Sequence, residues 1–163
     1  MCIRDSLEPH IDSSAFVISC TKGIQPDPFS TMTEIISKHL GHVVGDKVGA
    51  LSGPNLAKEI ADQKIAGTVI ASSNKTLSSE IKTILSSNTF KVFSSVDTQG
   101  VELAGALKTI YAICCGIAHA KNVGENALGF IVTRSMAEMS RFAVAKGANP
   151  VSYTHLTLPT TPY

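Results

Sequence analysis

Four short apolar runs separated by amphipathic stretches, followed by a switch to long helical periodicity near Asp97, constrain this chain more than any other feature. Ala15 to Cys20, Lys47 to Leu51, Thr68 to Ala71 and Phe90 to Phe93 read as buried strands, brief and apolar. Between them, Thr31 to Leu40 carries Met32, Ile35, Ile36 and Leu40 at helical spacing. Pro54 to Gln63 reads as a helix with Pro at its first position, and Thr76 to Leu85 sets Leu77, Ile81, Ile84 and Leu85 on one face. Such alternation predicts a mostly parallel sheet with helices packed on it. Past Asp97 the alternation stops and two long helices follow, at 98–121 and 124–146, so a domain boundary is expected there.

The first of those helices contains the stretch LAGALKTIYAICCGIA, from Leu103 to Ala118, in which Lys108 is the only charge. Leu103, Leu107, Ile110, Cys114 and Ile117 recur at helical spacing and are expected to face a core. Ala104, Gly105 and Ala112 crowd the lysine with small neighbours and leave room for a ligand to approach. An ammonium in such surroundings is costly unless it is paired or used. Its pKa also shifts readily, which suits proton transfer.

Composition narrows the partners. A chain of 163 residues with 44% hydrophobic content can bury one moderate core or parts of two. A net charge of +1, with lysines and arginines scattered among acids, excludes nucleic acid as a partner. The apolar run around Lys108 is expected to be too short for a membrane span and carries that charge. Cys2, Cys20, Cys114 and Cys115 have no metal-ligand spacing, so no metal site is expected. They are read as small hydrophobes in a reduced core.

GALK within VELAGALKTIYAICCGIA, with GEN and TRSMAEMSRFAVAKGANP after it and CTKGI and SGPNLAKEIA before it, resembles the NAD(P)-dependent glycerol-3-phosphate dehydrogenases. The resemblance covers roughly residues 7 to 150. It implies an α/β fold: the second half of a Rossmann-like dinucleotide-binding sheet, then the first helices of an all-α substrate domain. Residues 7–97 and 98–150 would be the two partial domains. No G-x-G-x-x-G occurs in the sequence, and Gly41 and Gly45 have the wrong spacing for one. The choice between NAD and NADP therefore stays open. The downstream acidic residue and Arg-Asn pair that the resemblance calls for do not occur before the tail.

The same resemblance implies the roles of individual residues. Lys108 would be the catalytic acid/base and would also contact substrate. Lys22 would contact both substrate and cofactor, Gly53 and Asn55 the glycerol phosphate, and Ala57 the cofactor. On residue types alone, Lys22 follows a strand end, where a parallel sheet opens its ligand crevice. Gly53 would let the backbone approach a ligand, with Pro54 starting the next helix. The implied reaction interconverts sn-glycerol 3-phosphate and dihydroxyacetone phosphate, feeding glycerophospholipid synthesis in the cytoplasm, in a homodimeric full-length enzyme. Thr109 departs from the family, which usually has Asn or Asp after the lysine. Two rivals remain: a related two-domain dehydrogenase with another substrate, and a non-catalytic α/β interaction module.

The ends do not share this character. Residues 1–6 (MCIRDS) and 151–163 (VSYTHLTLPTTPY) read as sequencing-adaptor or cloning sequence, the latter crowded with Thr and Pro and free of Lys, Arg, Asp and Glu. The chain is accordingly expected to be an internal fragment of a longer protein, inactive as it stands.

Overall fold

A computed structural model describes residues 8–149, so both suspected foreign ends lie outside the described residues. Strand β1 (Val17–Ser19) is followed by a hairpin, β2 (Ile24–Pro26) and β3 (Phe29–Thr31), and then helix α1 (Met32–Val44). Next come β4 (Val48–Ser52), the short α2 (Ala57–Ala61), β5 (Ala66–Ala71), α3 (Lys75–Leu85) and β6 (Phe90–Ser95). Two long helices, α4 (Thr98–Ala120) and α5 (Glu125–Ala145), complete the fold.

The main sheet has the order β1-β4-β5-β6. β1 pairs parallel with β4, and β5 parallel with β6, as strand–helix–strand units require. β4 and β5 are antiparallel, with Ala50 opposite Ala71, which departs from the mostly parallel sheet expected. The cause is the segment between them. Pro54, Asn55 and Leu56 stay outside the helix, and α2 keeps only five residues instead of the ten expected. A helix of that length rises about 7.5 Å, too little to carry the chain back along β4 for a parallel return. The chain turns at Gln63, in left-handed backbone (φ 57°), and runs back beside its predecessor.

The hairpin was not anticipated from the sequence, because its two prolines mask the strand pattern. Ile24 pairs with Thr31 and Pro26 with Phe29 across a cis Asp27–Pro28 bond. Glu34 then accepts the N–H of Thr31 at 2.7 Å, satisfying a free donor where α1 begins.

Three apolar clusters hold the layers together. Leu40, Val44 and Val48 seat α1 on the sheet, and Ile70, Leu77 and Val92 seat α3. Leu103, Ala143 and Ala148 join the two long helices, with Ile24 and Phe29 of the hairpin packed against them. Phe29 also meets the Phe142 ring edge-on at 6.5 Å between centroids, and the Lys146 ammonium lies 4.3 Å from its ring centre. Asp97 caps α4, its Oδ1 accepting the Gly100 N–H at 2.8 Å, while its Oδ2 accepts the Asn149 N–H at 2.9 Å.

The burial of α4 differs from expectation. Leu103 is fully buried, but Ile110, Ile113 and Ile117 are each more than half exposed, as is Phe130 on α5. The first turns of α4 press on the sheet and the hairpin, whereas among the described residues nothing covers the outer face farther along. Cys20 and Cys114 are likewise exposed rather than in the core. The run around Lys108 is also longer than anticipated. At 23 residues, with a mean hydropathy of 1.5 over its most apolar 18-residue stretch, α4 is long and apolar enough to cross a membrane by length and composition alone.

Candidate active site

Because β1 and β4 are parallel neighbours, their carboxyl ends open on the same edge of the sheet. Lys22 lies in the loop that leaves β1, and Gly53 directly follows β4. The Lys22 Nζ reaches across and donates to the Gly53 carbonyl at 3.4 Å. The same carbonyl accepts the Asn55 N–H at 3.0 Å, so Lys22, Gly53 and Asn55 meet at one oxygen. The Asn55 side chain is aimed by the buried Thr68, whose hydroxyl accepts from its Nδ2 at 3.0 Å.

Helix α4 lies over this edge. A Cβ on Gly105 would fall 2.5 Å from Ser52 Oγ and 3.8 Å from Lys22 Cγ, so glycine is what allows the helix to approach so closely. One turn later stands Lys108. Its side chain keeps exposed surface, yet its pKa lies below the ordinary lysine range. Partial loss of water around the amine is the largest cause; the Lys22 ammonium adds repulsion and a hydrogen bond that a neutral Lys108 can accept. Lys108 is therefore disposed to release its proton.

Two parts of the sequence reading change here. Gly53 has a packing reason to be glycine: a Cβ there would sit 2.7 Å from the Gly67 carbonyl oxygen and 2.8 Å from Thr68 Cα. The free N–H groups of a helix start are not beside it, because α2 begins only at Ala57. Ala57 itself is exposed and joins the cluster only through the turn from Gly53 to Leu56.

Sequence reasoning missed two contributors, Ser52 and Thr68. Ser52 was legible as part of SGPN. Thr68 gave no signal beyond being a strand residue. Among the described residues no cluster of His, Cys, Asp or Glu could hold a metal ion.

The donor set fits a phosphate ester with a carbonyl beside it: two amines, an amide and a turn of backbone around Gly53. It fits only the reactive end of a dinucleotide, since no G-x-G-x-x-G cradle is present for the pyrophosphate.

The site thus lies on a Rossmann-like α/β layer whose strand ends are crossed by a long helix bearing a lysine. The comparisons narrow this. Residues 2–78 match the NAD-dependent glycerol-3-phosphate dehydrogenase N-terminus family, and residues 97–159 the corresponding C-terminus family. The chain is 50% identical over 146 residues to glycerol-3-phosphate dehydrogenase [NAD(P)+] of Alcanivorax borkumensis, covering 90% of this chain and 42% of that protein. It is 49% identical over 150 residues to the Acinetobacter baylyi protein of the same name, covering 92% of this chain and 41% of that protein. The crystal structure of glycerol-3-phosphate dehydrogenase from Coxiella burnetii superposes with a TM-score of 0.77 at 28% identity, covering 93% of this chain and 46% of that one. The yeast enzyme superposes at 0.81 with 27% identity, covering 93% and 46% respectively. The chain belongs to the glycerol-3-phosphate dehydrogenase family, and spans less than half the length of these relatives. Neither rival reading gains support.

Proposed function

We propose that the complete protein interconverts sn-glycerol 3-phosphate and dihydroxyacetone phosphate with NAD or NADP, in the cytoplasm, feeding glycerophospholipid synthesis. The observation that carries this is the placement of Lys108 one turn beyond the close approach of Gly105 to Ser52, beside the strand ends where Lys22 donates to the Gly53 carbonyl. Bound nicotinamide would supply or accept the hydride. In the reducing direction the Lys108 ammonium polarises the carbonyl oxygen and hands it a proton; in the oxidative direction its neutral amine takes the proton back. Lys22 and Asn55 hold the phosphate-bearing end, and Ala57 borders the cofactor. The division into a sheet domain and a helical domain falls at Asp97. The complete protein is a homodimer. Helix α4 is a core helix of that protein, its bare isoleucine face covered by helices from the remainder.

The test is an assay of the complete protein with dihydroxyacetone phosphate and either reduced nicotinamide cofactor. Oxidation of the cofactor that depends on dihydroxyacetone phosphate supports the proposal, and no turnover with either cofactor defeats it. The chain alone should show no turnover. It should also aggregate through Ile110, Ile113, Ile117 and Phe130, which light scattering would report.

The lysine pair makes a prediction about pH. Oxidising glycerol 3-phosphate needs the neutral Lys108 amine, so the rate should rise with pH through its lowered pKa. Lys22→Met removes a repelling charge and a hydrogen bond that both lower that pKa, so the rise should move to higher pH. It should not return fully to the ordinary lysine range, because desolvation, the largest cause, remains. The kcat profile at saturating substrate checks this, and an unmoved profile would remove Lys22 from the pair.

A further inference from the structure

Glu102 is the one buried acid on α4, with 6% of its surface exposed, and it lies six residues before Lys108. Its carboxylate leaves its own helix to grip the start of another. Oε1 accepts the backbone N–H of Thr33 at 2.9 Å, and Oε2 accepts a short hydrogen bond from the Thr33 hydroxyl. Thr33 is the second residue of α1, so the carboxylate also meets the positive end of a 13-residue helix. A buried charge is tolerated only when its partners satisfy it, and both oxygens here have one.

This contact and the Gly105–Ser52 approach hold α4 at two points on different elements. The helix rises about 9 Å between residues 102 and 108. Any roll or slide at Glu102 would therefore displace the Lys108 amine relative to Lys22 and the Gly53 carbonyl. We infer that Glu102 is a positioning residue for the reaction: by locking α4 to the first turn of α1, it sets where the Lys108 amine stands over the ends of β1 and β4. This inference rests on the dehydrogenase reading above.

The test uses the complete protein, with turnover counted per cofactor-binding site so that unfolded molecules do not enter. Glu102→Ala should lower kcat about 10- to 100-fold with the KM for cofactor unchanged, as expected when a reacting group is misplaced by an ångström or so. Glu102→Gln should restore most of it, because an amide can accept from the Thr33 N–H and donate to the Thr33 hydroxyl. Parent-like kcat in Glu102→Ala overturns the inference. Should that variant not fold, Thr33→Val decides: a lowered kcat with unchanged cofactor KM supports the role, and parent-like kcat overturns it. A Lys108→Met control separates the two levels. If it stays active, the dehydrogenase reading itself fails; if it is inactive while Glu102→Ala behaves as the parent, only the positioning role fails.

Discussion

Lys108→Met in the complete protein is expected to lower turnover about 10²- to 10⁴-fold, the range that a positioned proton donor supplies. Methionine keeps much of the aliphatic stem and loses the amine. Lys108 is exposed and outside all three apolar clusters, so its loss leaves the packing of α4 in place. The loss should thus appear in kcat for both directions, with the thermal midpoint unmoved. Undiminished turnover from a folded Lys108→Met protein would remove the central chemical claim.

Gly53→Ala should destabilise the fold although it adds a single methyl group. The added methyl meets the Gly67 carbonyl and Thr68 Cα, both backbone atoms of β5 that no side-chain rotation can move aside. The end of β4 must back away from β5, which for overpacking of this kind costs about 1–3 kcal/mol. The Gly53 carbonyl moves with it, and that oxygen holds both Lys22 and Asn55. Stability and turnover should therefore fall together. Gly105→Ala is the informative contrast, since its nearest clash is with Ser52 Oγ, a hydroxyl free to rotate. Urea midpoints and kcat for the two variants check the order. A Gly105→Ala protein that is less stable than Gly53→Ala would contradict it.

The legible parts of the fold were those written in local pattern. Apolar runs marked β1, β4, β5 and β6 to within a few residues, and spacing marked α1, α3, α4 and α5. Strand direction was not local. Whether β5 returns parallel or antiparallel depended on how many residues after Gly53 would join a helix, and Pro54 suggested more than formed. The hairpin was hidden because Pro26 and Pro28 suppress the strand signal, while its stabilising partners, Phe142 and Lys146, lie more than a hundred residues away. At the site, the gathering of Lys22, Gly53 and Asn55 followed from motifs at strand ends. The exposure of Ile110 and Ile117 did not, because helical spacing says which residues share a face and not whether anything covers it. Glu102 carried a signal in its apolar neighbours, but its partner Thr33 lies 69 residues earlier and could not be named from spacing.

The two oxygens of Asp97 have a mechanical consequence. One holds the first turn of α4 and the other holds Asn149, so a single carboxylate fastens together the two ends of the helical pair. A pull on the backbone at Asn149 is passed straight to the turn that begins the lysine's helix. The amine at Lys108 is thereby geared to the far end of α5, though 37 positions in the chain separate it from Ala145.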